Sequence, residues 1–175
     1  MADEQTPAQA GGDKGITSPD RPTHEATTPP GNPEVDASLL WLAVPYELVE
    51  VGDPAFATTL ARIERDLVGP DGGVHRYRAD TYYGGGEWLL LAASLARVYL
   101  RRDAPGDRDR AEAILGWIEA QADQRGQLPE QVATNALHPE EIEPWRRRWG
   151  DSARPLIWSH AFHLELVEDL RAARS

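Results

Sequence analysis

Between residues 36 and 173 the chain carries five apolar-periodic stretches whose hydrophobicity alternates in kind. The first, roughly 36–49 ("DASLLWLAVPYELV"), is apolar on every side, with Asp36 placed as an N-cap and Pro45 expected to kink it. The second, roughly 54–68, opens on Pro54 and sets Phe56, Leu60, Ile63 and Leu67 on one stripe. The third, roughly 85–101, is apolar nearly all round through Trp88, Leu89, Leu90, Leu91, Leu95, Val98 and Tyr99. The fourth, roughly 107–123, returns to a single face of Ile114, Leu115 and Ile118 opposite Asp109, Arg110, Glu112 and Glu119. The fifth, roughly 153–173, starts apolar and ends polar. Helices apolar all round are covered on both faces, whereas single-stripe helices lie outside them. Inner, outer, inner, outer, inner predicts an all-α fold of layered helical hairpins, as in an α/α toroid or a solenoid. Both long connections, 69–84 and 124–152, then run from an outer helix to an inner one and emerge on one rim, where a site is expected.

Composition removes several classes of function. Residues 1–33 hold six prolines and almost no large apolar side chain, so they are expected to be a disordered, dispensable tail ahead of a domain at 34–175. The chain has no cysteine, which excludes disulfides and thiolate-held metals. Its net charge of −11 argues against a nucleic-acid partner, because phosphate binding needs a basic face. The longest apolar run, "WLLLAASLA" at 88–96, is about half the roughly 20 residues a membrane span requires. No membrane association and a cytoplasmic location are the expectation.

Chemistry concentrates in the two long connections. The first, "GPDGGVHRYRADTYYGGGEW", sets Arg76, Asp80, Tyr82 and Trp88 between glycines. Donors, acceptors and flat aromatic faces together suit a polyhydroxylated ligand; equally, Arg76 and Asp80 could simply pair in a surface loop. The "GGG" at 84–86 leads into a helix but lacks the Lys-Ser/Thr ending of a phosphate loop. His160 and His163 are spaced i, i+3 without a third ligand nearby, and His75 and His138 lie in loops; no metal site is expected. The second connection opens with "GQLPEQV" (126–132), where Glu130 is either a solvated loop glutamate or one of the two carboxyl groups that glycoside hydrolysis requires. Gln131 beside it could hydrogen-bond a ligand.

The segments "DASLL", "RYRADTYYGGGEW", "GQLPEQ" and "PLIWSHA", in this order across 34–170, resemble glycoside hydrolase family 15, the glucoamylase-type enzymes, and most of all its bacterial branch. The resemblance implies an (α/α)6 toroid that hydrolyses α-glucosidic bonds with inversion and without a cofactor. It implies Glu130 as catalytic base, Arg76 and Asp80 as ligands of sugar hydroxyls, and Tyr82, Trp88 and Trp158 as aromatic pocket walls. The expected small-molecule partner is an α-glucan oligosaccharide or trehalose. The chain departs from the pattern in having three inner helices of six and no Trp-Glu-type acid segment in residues 1–33. Glu87, where some members have proline, begins a predicted helix and does not replace that acid. Three readings follow: one part of a split α-glucosidase completed by a second chain with the N-terminal half; an inactive remnant; or a non-enzymatic helical interaction or glucan-binding protein.

Overall fold

The computed structural model describes residues 34–173, within the second of two units into which the chain divides, Pro33–Ser175. The expected tail at 1–33 lies outside the described residues. The fold is all-α, with five α-helices among the described residues, α1 (Pro54–Asp66), α2 (Leu89–Arg102), α3 (Asp107–Ala120), α4 (Ile142–Trp149) and α5 (Ile157–Ala172), joined by short 3-10 turns. One antiparallel two-residue ladder interrupts them, β1 (Glu87–Trp88) on β2 (Gln131–Val132).

The outer and inner assignments follow burial for α1, α2 and α3. α1 is capped by Asp53, whose carboxylate accepts from the Ala55 and Phe56 N–H groups, and it buries only Phe56, Leu60 and Ile63. α3 buries Ala111, Ile114 and Ile118 together with Asp107. Between them α2 is buried from Leu89 through Tyr99, packing on α3, α5 and the first 3-10 helix. Arg102 at the end of α2 grips Asp107 with two bonds of 2.7 Å and reaches Glu64 of α1 at 3.3 Å, so three helices are tied at one corner.

Three expectations change. The first predicted helix is a 3-10 helix, Ala37–Leu42, capped by Asp36 as expected; it ends before Pro45, which has no N–H to donate and disfavours helical backbone at Val44. The third helix starts at Leu89 rather than 85, because Glu87 and Trp88 pair with the segment after Glu130. The second long connection contains a helix the hydrophobic pattern does not signal, α4, whose cohesion comes from acids early and arginines late along its dipole. α5 also departs from all-round burial: only Ser159, Leu166 and Leu170 are covered, and Ile157, Trp158 and Leu164 face solvent. No helix among the described residues is long and apolar enough to cross a membrane.

Candidate active site

The stretch around Glu130 is extended and held from both sides. Toward α5, the Glu130 N–H donates to the Ala153 carbonyl at 2.9 Å, the Ser159 hydroxyl donates to the Pro129 carbonyl at 2.7 Å, and the Leu128 N–H donates to His160 Nε2 at 3.1 Å. That last bond makes Nε2 an acceptor and puts the imidazole proton on Nδ1. On the other side, Trp88 pairs with Gln131 and Glu87 with Val132, while the Leu89 N–H points at the Glu130 carbonyl at 3.4 Å. Proline at 129 fits here, since it fixes φ and has no N–H needing a partner.

The other connection reaches the same place. Tyr83, Gly84 and Gly85 are all left-handed, with φ of 47°, 74° and 64°, which turns the chain sharply enough to bring Tyr82 over the Glu130 strand. Glycine is required at 85, where a Cβ would run into the Asp80 carbonyl oxygen. Tyr83 holds the same conformation with a side chain; its hydroxyl donates to Asp151 Oδ1 at 3.1 Å and accepts from Arg146 Nη2 at 2.9 Å. α4 therefore fastens the turn in its strained form.

Five of the six residues singled out from sequence meet on this rim. The Tyr82 hydroxyl donates to Glu130 Oε2 at 3.0 Å, joining the two connections through their side chains. Asp80, 1% exposed, receives a fork from Arg76, with Nε at 3.0 Å and Nη2 at 2.7 Å, and also the Tyr82 N–H at 2.9 Å. The Arg76 guanidinium lies 5.2 Å from the Trp88 ring centre and 5.7 Å from that of Tyr82. Burial lowers the Arg76 pKa and the Asp80 bond and charge raise it, with a net shift upward. Burial, then the Glu130 hydrogen bond and charge, raises the Tyr82 phenol, which keeps it a donor. The sixth residue, Trp158, stands apart at the first turn of α5; it is 63% exposed and makes no ring contact with this cluster among the described residues.

Sequence reasoning missed Trp145, whose ring lies 4.2 Å from that of Tyr82, and the Tyr83–Arg146–Asp151 brace. The available signal was "EPWRRRW", with proline in the first turn, an acid beside it and basic residues later. Gln131 proves to be buried at 1% exposure, its amide lacking a hydrogen-bond partner among the described residues, as does Trp88 Nε1. Its side chain is thus covered. Glu87 is sealed completely, and Asn135 Nδ2 donates to both its oxygens at 3.1 and 3.3 Å. Its seclusion, not the start of a helix, keeps it from acting on a ligand.

Chemically, the rim offers a carboxylate with one oxygen anchored by a phenol, beside a neutralised Arg–Asp fork and a wall of aromatic rings. Such a surface can hold hydroxyl groups and polarise a water molecule. The relatives of this chain are glycosidases. It is 46% identical over 140 residues to isomaltose glucohydrolase of Kribbella flavida, a match spanning 80% of this chain and 35% of that protein. It is 42% identical over 87 residues to trehalase 1 of Sulfolobus acidocaldarius, covering 49% of this chain and 14% of the trehalase. Among solved structures, a glycosidase in complex with glucose superposes with a TM-score of 0.75 at 44% identity, over 81% of this chain and 37% of the other. The chain thus spans little more than a third of the length of the isomaltose glucohydrolase and of the glycosidase structure, and 14% of the trehalase. No protein-family model matches it.

Proposed function

We propose that the chain is one part of an inverting, exo-acting α-glucosidase of the glucoamylase, glucodextranase or trehalase type. In this reading Glu130 is the general base and the general acid lies in the part of the glycosidases that this chain does not match. The observation that carries the reading is the Tyr82–Glu130 contact, which sets the carboxylate beside the Arg76–Asp80 fork, in a chain similar to isomaltose glucohydrolase and a trehalase. Arg76 and Asp80 would engage the hydroxyls of the terminal glucosyl unit, and Tyr82 and Trp88 its CH faces. Trp158 would join them from the α5 side.

The division of labour follows from inverting hydrolysis. One carboxylate takes a proton from water on one face of the sugar while a second, roughly 6.5–9.5 Å away, protonates the departing oxygen. Glu130 Oε2 is held by Tyr82, which would leave Oε1 to take a proton from water. Glu87 is buried and Asp80 is engaged by Arg76, so neither serves as the acid. A base alone leaves the glycosidic oxygen to depart as an alkoxide, and each proton-transfer group is typically worth about 10²–10⁴-fold.

The test joins this chain, by co-expression, to the portion of Kribbella isomaltose glucohydrolase that it does not match. Glucose release from isomaltose, maltose and trehalose is measured for the chain alone and for the pair. No appreciable hydrolysis is expected from the chain alone, and hydrolysis is expected from the pair. Turnover by the purified chain alone, or a stable pair with no turnover of any α-glucoside, would remove this reading.

A further inference from the structure

Three consecutive residues, Asp151, Ser152 and Ala153, touch both sides of the Tyr82–Glu130 contact. On one side the Ala153 carbonyl accepts the Glu130 N–H at 2.9 Å, and the Ser152 hydroxyl oxygen accepts the Gln131 N–H at 3.1 Å. The strand behind the carboxylate is therefore held at two successive residues. On the other side Asp151 Oδ1 accepts from the Tyr83 hydroxyl at 3.1 Å, one residue beyond Tyr82. The phenol and the carboxylate lie 48 residues apart in sequence, and this short segment bridges the two backbones that carry them.

The local sequence accounts for this placement. α4 ends at Gly150, whose N–H donates to the Arg146 carbonyl at 2.9 Å and whose φ of 87° turns the chain back. A Cβ there would meet nothing within 4 Å, so the glycine serves the backbone conformation and not the packing. The reversal sets Asp151 against Arg146, whose Nε donates to Oδ1 at 2.7 Å while Nη2 donates to the Tyr83 hydroxyl at 2.9 Å. The three side chains close a ring of hydrogen bonds, and Glu143 takes Arg146 Nη1 at 3.2 Å. As an ion pair Arg146–Asp151 would count for little, since Asp151 is 76% exposed; its weight lies in the phenol it fixes. That phenol belongs to Tyr83, which is buried and keeps a left-handed φ of 47° despite its side chain, a conformation that persists only where the surroundings impose it. We infer that Asp151 is a positioning residue: with Ser152 and Ala153 it clamps the Tyr83 turn to the Glu130 strand and so sets Tyr82 against the Glu130 carboxylate. It acts through Tyr83. What the clamp serves rests on the proposed α-glucosidase reading, but the clamp itself is read without turnover.

The experiment labels the full chain with fluorotyrosine and assigns the Tyr82 fluorine resonance by Tyr82→Phe. Glu130→Gln should move that resonance, because the two side chains share a hydrogen bond. Asp151→Ala should abolish this response, whereas Asp151→Asn, which keeps an acceptor oxygen, should retain most of it. Ser152→Ala removes the tie to Gln131 and serves as an independent disruption. Asp151 is exposed, so thermal unfolding and the resonance of buried Tyr99 should be unchanged. In the chain co-expressed with the unmatched portion of Kribbella isomaltose glucohydrolase, Asp151→Ala should lower kcat for isomaltose roughly ten- to a hundredfold with KM little changed, since slight misplacement of a reacting group costs on that scale. A Tyr82 resonance indifferent to Glu130→Gln in the parent chain overturns the proposal, as does a response that survives both Asp151→Ala and Ser152→Ala. So does a loss that Asp151→Asn shares in full, or one accompanied by a displaced Tyr99 resonance, since either marks a merely structural residue. An active pair whose kcat ignores Asp151→Ala overturns it too. A pair that hydrolyses nothing, with the Tyr82 response lost and rescued as expected, upholds the clamp while removing the glucosidase reading.

Discussion

Two glutamates lie at the β1–β2 ladder, Glu87 within β1 and Glu130 just before β2, and the fold handles them in opposite ways. Glu130 is half-buried, its backbone fastened to Ala153 and its side chain holding one donor, Tyr82. Glu87 is wholly buried, both oxygens turned to Asn135, in a space that exists because residues 69 and 73 are glycine. A Cβ at either glycine would collide with the Glu87 carboxyl group. On the proposed reading, Glu130 must meet water and substrate and so needs a rigid backbone and an open oxygen, whereas Glu87, which knits three segments together, needs closed surroundings. Sequence alone reads Glu130 as a loop glutamate and Glu87 as the start of a helix, and only the pairing of residues 87–88 with 131–132 separates their surroundings.

The sharpest way to break this contrast is through activity. In the complex with the unmatched portion of the Kribbella enzyme, Glu130→Gln should lower kcat by about 10²–10⁴-fold, because the amide keeps the shape and loses the basicity. Glucose binding, followed by calorimetry, should be little changed. A complex indifferent to this substitution would take Glu130 out of the mechanism.

Stability should rank the two residues the other way. Glu87→Ala leaves Asn135 without its acceptor and opens a cavity beside Trp117, for an expected loss of about 2–4 kcal/mol in urea unfolding. Glu130→Ala removes one part-exposed contact and should cost no more than about 1 kcal/mol. Equal losses would mean that Glu130 too is mainly a structural residue.

The legible and illegible parts of the molecule divide along the same line. The stripe of Phe56, Leu60 and Ile63, the caps at Asp36 and Asp53, and the all-round burial of α2 are local properties that spacing reveals. The (α/α)6-type arrangement followed from their alternation and from the resemblance. The rim residues Arg76, Asp80, Tyr82, Trp88 and Glu130 were identifiable as types, and their convergence rested on both connections leaving the same end of the stack. What escaped was non-local. The two-residue strands are too short to show a period, and α4 has no apolar stripe because its tryptophans pack on Tyr82 and on each other. The burial of Gln131 likewise depends on a partner strand more than forty residues away.

A smaller effect sharpens the active-site half of the comparison. Tyr82→Phe keeps the ring against Trp88 and Trp145 and removes only the donor to Glu130 Oε2. A hydrogen bond to a charged group is worth about 1.5 kcal/mol at the low end, which corresponds to roughly a tenfold drop in kcat. KM for isomaltose should hold if the phenol positions the base, and should rise if its main contact is with sugar. The ratio of the two parameters therefore decides which role it plays.

The smallest effect concerns the pH dependence of stability, and it isolates Glu87. Burial, the largest influence, raises its pKa above the ordinary 4.5, and the Asn135 hydrogen bond only partly opposes this. His75 also lowers it and Asp71 raises it. A folded-state pKa above the unfolded one means that the folded protein holds the proton more tightly. Glu87 then contributes stability that is complete below pH 4.5 and is lost as pH climbs through its folded value. Asp107 works in the opposite sense: the Arg102 hydrogen bond lowers its pKa below 3.8, so its contribution is present above that pH and fades as pH falls through the folded value. The whole-protein curve mixes these slopes, but the difference between wild type and Glu87→Gln cancels every group that does not interact with Glu87. Glutamine can still accept from Asn135 and never carries the charge. Unfolding free energies measured from pH 4 to pH 7 should show the variant gaining on the wild type as pH rises through the range above 4.5. A difference that stays flat, or that runs the other way, would show that Glu87 is charged at little cost in the folded protein, and the contrast with Glu130 would then rest on access alone.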